Sequence, residues 1–410
     1  MTFDVATIKA DFPLLSRVID GKPITYLDSA ASSQRPQSVL DAMDRYYRES
    51  HANVHRGAYR LATEATDAME GARQKIADFI GAPHAHEVIF TKNATESMNL
   101  FAQSWGRGHL HAGDVVVLTE MEHHANIVPW HMLTESIGIE LRWIPVDENG
   151  ELDLTDLDRL LDGAKLLSVT AMSNVLGTIT PIKRLADAAH AAGATIVVDG
   201  SQYVPHLPTD VVDLGIDAFV FTGHKMLGPT GVGVLWGKTE LLDAMPPFLG
   251  GGDMILQVTK DGFTTNELPH KFEAGTPAIA EIVGLGAAVD YLTALGMEDV
   301  RAHEVSLTAY AMRSLKERFG DDITIHGPSE PASRGGVLSL IYKDVHPHDI
   351  SQVLDQDNVY VRAGHHCAKP LMQVMGLNAT ARASLYLYND EADVDTLADA
   401  LASADDIFGF

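Results

Sequence analysis

From residue 87 to about residue 236, apolar runs of strand length alternate with segments whose apolar residues recur at helical spacing. The runs fall at 88–90, 115–118, 141–146, 166–172, 195–198, 218–221 and 232–235. Near-continuous apolar runs belong to strands buried on both faces, and helices between them predict a mainly parallel, seven-stranded sheet covered on both sides. Ahead of it, 6–15 reads as a short amphipathic helix and 24–27 as a strand ending in Asp28-Ser29-Ala30-Ala31-Ser32. Helices are expected over 36–50 and 63–80, the second stopped by Gly81. Beyond the sheet, Gly250-Gly251-Gly252 breaks the alternation, and a helix is expected over 278–295. The remainder reads as strand 337–342, helix 348–355, strand 359–362, a loop, strand 382–388 and a helix from 393. The expected architecture is therefore a large α/β domain over 21–290, with 1–20 and 291–410 forming a small α+β domain.

Polar residues gather where the predicted strands end, the edge at which open α/β sheets bind ligands. The run 218–221 gives way abruptly to Thr222-Gly223-His224-Lys225. Partial burial there favours a neutral, nucleophilic amine that condenses with an aldehyde. The plainer reading of Lys225 is a lysine capping a strand. Asp199 ends the run 195–198. A carboxylate against a pyridine nitrogen keeps that nitrogen protonated, and an acid paired with such a lysine is the mark of pyridoxal 5'-phosphate. Aspartate at a strand end is also a common turn former. A phosphate would find its cradle at Asn93-Ala94-Thr95-Glu96, where Asn93 and Glu96 have capping-box spacing. Free N–H groups at a helix start attract anions, and the hydroxyls of Thr95 and Thr222 and the His224 ring would add to them. An ordinary capped helix is the alternative.

Composition narrows the partners. With 30 basic against 56 acidic residues the net charge is −26, which argues against nucleic acid. Residues 1–11 carry neither a basic region nor an apolar run, and no apolar stretch reaches membrane-span length. One cysteine excludes an intramolecular disulfide and fits a reducing, cytoplasmic compartment with no membrane partner.

That cysteine is Cys367, in Arg362-Ala363-Gly364-His365-His366-Cys367-Ala368-Lys369. Positive neighbours lower a thiol pKa, and the thiolate is the nucleophile. A small buried hydrophobe is the competing reading. Zinc is not expected, because adjacent histidines seldom turn toward one ion and no second cysteine exists. His123 suits a ring lying flat on a planar cofactor and shuttling protons, or else a turn histidine. Arg382, expected to open a strand, has the fork geometry for a substrate carboxylate, with Asn174 assisting. A protein ion pair and a turn asparagine are the alternatives. Arg362 and His55, the latter in the polar loop Asn53-Val54-His55-Arg56-Gly57, are further candidates for the substrate side.

Together, Tyr26-Leu27-Asp28, Asn93-Ala94-Thr95-Glu96, Met121-Glu122-His123-His124-Ala125-Asn126, Asp199-Gly200-Ser201-Gln202, Gly223-His224-Lys225 and Arg362 to Cys367 span nearly the whole chain. In these motifs the chain resembles the fold-type I, pyridoxal-phosphate-dependent cysteine desulfurases of the SufS type. The resemblance implies Lys225 as the cofactor-bearing lysine, Asp199 on the ring nitrogen, Gln202 on the ring hydroxyl and His123 stacked on the ring. Thr95, Thr222 and His224 would hold the phosphate, with Thr276 reaching the phosphate of a partner subunit in a homodimer. Thr222 and Ser201 stand where many relatives have serine and alanine, mild departures that keep the Thr222 hydroxyl. It further implies that L-cysteine is converted to L-alanine, its sulfur passing to Cys367 as a persulfide for iron–sulfur cluster assembly. His346-Pro347-His348-Asp349 resembles the motif of enzymes served by a zinc-containing, SufU-like acceptor, with His348 engaging the partner's zinc; a SufE-like acceptor is the other possibility. Selenocysteine lyase and cysteine sulfinate desulfinase share the cofactor motifs. A non-catalytic iron–sulfur assembly scaffold would need neither Lys225 nor Asp199.

Overall fold

The structure is a computed structural model describing residues 3–409, so residues 1, 2 and 410, which the expected small domain includes, lie outside the described residues. All seven expected strands form one sheet: β1 Val88–Thr91, β2 Val115–Thr119, β3 Glu140–Ile144, β4 Ala164–Thr170, β5 Thr195–Asp199, β6 Ala218–Thr222 and β7 Gly233–Gly237. Their order is β1-β7-β6-β5-β4-β2-β3. Every pairing is parallel except those of β7, which runs antiparallel to β1 and β6. The strands β2, β6 and β7 are buried at every position, as two-sided coverage requires. Parallel β4, β5 and β6 bring their carboxyl ends to one edge, with Thr170 in register with Asp199 and Asp199 with Val220.

A second, antiparallel sheet comprises β8 Ile323–His326, β9 Val337–Tyr342, β10 Arg362–Gly364 and β11 Thr380–Ser384, in the order β8-β9-β11-β10. Leu307 and Leu315 of helix Met297–Phe319, Ile350 and Leu354 of Pro347–Gln356, and Leu397 and Leu401 of Glu391–Phe408 form its core with Leu338 and Leu340. The early segment reaches this layer from far away in sequence. Thr25–Tyr26 pairs in parallel with Val359–Tyr360, and Asp28 bridges to Ser384.

Several expectations shift in detail. The expected helix 6–15 is Val5–Ala10 followed by a 3₁₀ turn Pro13–Ser16, since Pro13 disfavours helical geometry at Phe12. The strand expected over 382–388 is Thr380–Ser384, so Arg382 lies mid-strand rather than opening it, and Leu385 to Tyr388 leave the sheet as buried chain. Helix Met297–Phe319, strand β8 and the hairpin Ile255–Val258 with Phe263–Thr265 carry no counterpart in the sequence reading. Among the described residues, no single helix is long and apolar enough to cross a membrane.

Candidate active site

Between the carboxyl edge of the large sheet and the small antiparallel sheet lies a cavity of about 180 Å³. Lys225, Asp199, His123, Thr95, Gln202, Thr222, His224, Asn174, Arg362, Arg382 and Cys367 all line it.

Lys225 closes a 3₁₀ turn, Gly223–Lys225, directly after β6. Ser33 braces that turn: its backbone N–H and its hydroxyl both bond the His224 carbonyl, and its Oγ accepts from the Leu227 N–H. The close packing needs Gly223, where a Cβ would come within 2.8 Å of Val232 Cγ1. Burial pulls the Lys225 amine down to about 8, more than the nearby Asp199 carboxylate raises it. At neutral pH roughly a tenth of the amine is therefore unprotonated, about a hundredfold or more above an exposed lysine. Asp199 Oδ1 accepts from the Ser201 N–H, which fixes the carboxylate beyond β5.

The helix Ala94–Phe101 points its N-terminus at the cavity, with Asn93 Oδ1 accepting from the Glu96 N–H at 2.9 Å. The reciprocal bond differs from the expected capping box. Glu96 Oε2 accepts from the Lys92 N–H at 2.7 Å, one residue earlier than the box prescribes. Gly233 on β7 passes directly beneath this cap, and a Cβ there would meet Asn93 C at 2.4 Å.

The His123 Nδ1 accepts from the Ala125 N–H, leaving Nε2 to carry the ring proton. Burial, reinforced by Lys225, His124 and Arg382, pushes His123 down to about 3, and burial with Lys225 and Arg35 pushes His224 down to about 4. Both rings are neutral at physiological pH. Glu122 is fully buried and accepts from Thr119 Oγ1, the Thr170 N–H and Asn126 Nδ2. Burial outweighs these donors and raises its carboxyl to about 8.

Arg382 forms the protein ion pair weighed for it. One amino group donates to Asp28 Oδ1 at 3.1 Å and the other to the Asn174 carbonyl at 2.9 Å, while its buried Nε has no partner among the described residues. Arg362 reaches Asp28 Oδ2 at 3.3 Å, so one carboxylate holds both arginines. Asp28 is a site residue the sequence reading missed, because its partners are more than 330 residues away. Asn174 donates its Nδ2 to the His366 carbonyl at 2.6 Å.

Cys367 is half-buried and follows His366 in left-handed backbone, with φ of +52° at His366 and +58° at Cys367. His366 is held down by Thr380 Oγ1 at 2.9 Å. Three expected residues lie outside the cavity lining. Thr276 is exposed, His55 pairs with Glu70 at 3.0 Å and stands edge-on to His270, and His348 is exposed on Pro347–Gln356, whose N-cap is His346.

The cavity's polar atoms fit pyridoxal 5'-phosphate. Gln202 donates its Nε2 to the Ala30 carbonyl, yet its buried Oε1 and the buried Thr222 Oγ1 have no partner among the described residues. Buried polar groups are normally paired, so these two orphans call for polar atoms of a bound group. Helix N–H groups for a phosphate, a carboxylate for a ring nitrogen and a neutralisable amine for an aldehyde complete the set.

The chain matches the Aminotransferase class-V family over residues 25–397. It is 48% identical over 412 residues to a protein of Streptomyces coelicolor named "Probable cysteine desulfurase", covering 99% of this chain and 98% of the relative. Among solved structures it is similar to an apo cysteine desulfurase from Thermococcus onnurineus NA1, with a TM-score of 0.93, 38% identity and 97% of both chains covered. It is also similar to the cysteine desulfurase CsdA of Escherichia coli, with a TM-score of 0.90, 36% identity and coverage of 99% and 100%.

Proposed function

We propose, because this chain belongs to the class-V aminotransferases and within them to the pyridoxal-phosphate-dependent cysteine desulfurases, that its cavity takes sulfur from L-cysteine and releases L-alanine. The observation that carries this reading is the convergence of an amine, a carboxylate and the chain's one thiol, Lys225, Asp199 and Cys367, on a single cavity.

When bound, pyridoxal phosphate supplies an electron sink for the substrate's α-carbon. The residues of this chain do the rest. Asp199 would keep the ring nitrogen protonated, Gln202 Oε1 would meet the ring hydroxyl, and Thr222, Thr95, His224 and the helix start at Ala94 would hold the phosphate. Neutral His123 would lie against the ring without adding charge. Lys225, its amine lowered to about 8, takes the α-proton and returns a proton to the substrate carbon. Arg382, braced by Asp28, directs its remaining donor capacity to the substrate carboxylate, with Arg362 at the rim. The Cys367 thiolate attacks the substrate sulfur: a sulfur–sulfur bond forms, the carbon–sulfur bond breaks, and its electron pair stays with the carbon, which is then protonated. Cys367 is left as a persulfide.

The chain acts as a SufS-type homodimer in the cytoplasm, feeding sulfur to iron–sulfur assembly. Support for the dimer comes from Thr276 and His55 lying outside their own cavity's lining, and from the exposed Leu256, Val258 and Phe263 on the nearby hairpin. The exposed His348 stands on a helix packed beside β10, which leads to Cys367, and is the contact for a zinc-bearing SufU-like acceptor. A SufE-like acceptor would not require it. His348→Ala is expected to lower acceptor-stimulated turnover while leaving basal alanine formation intact; unchanged stimulation would refute this contact.

The deciding experiment is an absorbance spectrum before and after L-cysteine on wild type and Cys367→Ala, with alanine and sulfide assayed under reductant. A cofactor band in both proteins, with turnover in the wild type alone, is expected. Turnover independent of Cys367 would discard the persulfide step, and parallel rates on selenocysteine and cysteine sulfinate fix the substrate.

A further inference from the structure

His124 has no part in the chemistry above, yet it meets the Cys367 loop at two points. Its N–H donates to the Cys367 carbonyl at 2.8 Å, and its Nε2 accepts from the Lys369 N–H at 3.0 Å. An accepting Nε2 places the ring proton on Nδ1. The ring also leans on that of His365, with centroids 5.7 Å apart.

The loop needs such restraint. His366 and Cys367 are consecutive non-glycine residues in left-handed backbone, a conformation that persists only where surrounding contacts impose it. On its upstream side, the loop is pinned by Asn174 Nδ2 on the His366 carbonyl and by Thr380 Oγ1 on the His366 ring. Downstream of Cys367, the His124 ring ties it to the turn that follows β2. Burial, with His365 and Lys369 close by, holds the His124 imidazole below its ordinary range and keeps it a neutral acceptor. The upstream pins sit on buried side chains, whereas the His124 ring is only half-buried and its bond is the one open to competition from solvent.

We propose that His124 is a positioning residue that clasps the Cys367 loop against the cavity through its bond to Lys369, and that opening this clasp frees Cys367 to carry its sulfur outward. The second half rests on the sulfur-transfer function proposed above.

The single cysteine makes the test unambiguous, since alkylation by iodoacetamide reports on Cys367 alone. Holoenzymes of wild type, His124→Ala and His124→Gln would be compared, glutamine keeping an oxygen able to accept from the Lys369 N–H. In His124→Ala, alkylation is expected to run about fivefold faster or more, and single-turnover alanine formation to fall by about tenfold as the thiol loses its alignment. His124→Gln should stay near wild type in both. Alkylation of His124→Ala at the wild-type rate, or a glutamine variant indistinguishable from alanine, would overturn the clasp. Absence of alanine formation in the wild type would overturn the desulfurase function instead, leaving the alkylation rates to judge the clasp.

Discussion

Lys225 and Cys367 face the same cavity, but the chain supports them in opposite ways. Lys225 follows a fully buried strand of the parallel sheet, and its turn is braced by the Ser33 backbone and hydroxyl. Cys367 lies in left-handed backbone beyond the short edge strand β10 of the small sheet, held by hydrogen bonds to the Asn174 amide, to the backbone and ring of His124, and to Thr380. A group that shuttles a proton between fixed atoms gains from a rigid mount. One that must receive an atom and hand it on gains from contacts that can open one at a time.

The contrast breaks first at Lys225. Lys225→Ala should abolish alanine formation, by about 10³-fold or more, along with the wild-type visible band, because proton transfer and cofactor attachment are lost together; a variant that kept the band and the rate would end the comparison. Cys367→Ser should lower sulfide release by about 10²-fold while leaving the cofactor spectrum in place, since the loop bears only the sulfur step. A spectrum that changed as much as with Lys225→Ala would mean that the two supports are not separate.

Arg382→Gln should raise the KM for L-cysteine by about 10–100-fold, the worth of a charged hydrogen bond of roughly 1.5–3 kcal/mol. Asp28→Asn, which leaves both arginines without their shared carboxylate, should raise it less, by about three- to tenfold. Equal effects would make Asp28 the stronger determinant of the fork's position. The smallest effect concerns pH. Burial lowers the Lys225 pKa from 10.5 to about 8, so the nucleophilic amine already predominates above about 8. Capture of added pyridoxal phosphate by the cofactor-depleted protein should therefore quicken as pH rises toward 8 and level off beyond it. A rate still climbing toward pH 10 would mean that the mount does not desolvate the amine.

The sheet and the Lys225 side were legible in the sequence because their signals are local. Seven apolar runs, a glycine-rich turn after β6 and an acid ending β5 each declare themselves within ten residues. Helix Met297–Phe319 was not legible, as charged residues recur along its length and blur the apolar stripe. Strand β11 was displaced because Leu385 to Tyr388 are as apolar as a strand yet are buried as irregular chain. On the Cys367 side, the residue types were readable but their attachments were not. Asp28 with Arg362 and Arg382, Asn174 with His366, and His124 with Lys369 join positions more than 150 residues apart, and pairing at that range leaves no periodic trace. His55, Thr276 and His348 lie outside the cavity lining.

Strand order also has a temporal side. Val88–Thr91 leads into the phosphate cradle, but its sheet neighbour is Gly233–Gly237, made some 140 residues later. On a ribosome that emits the N-terminus first, the cradle stays an unpaired edge until β7 emerges, and Asp28 waits longer still for Arg382. The nascent chain thus cannot assemble its cofactor pocket, with a thiol alongside, until most of its length has been translated.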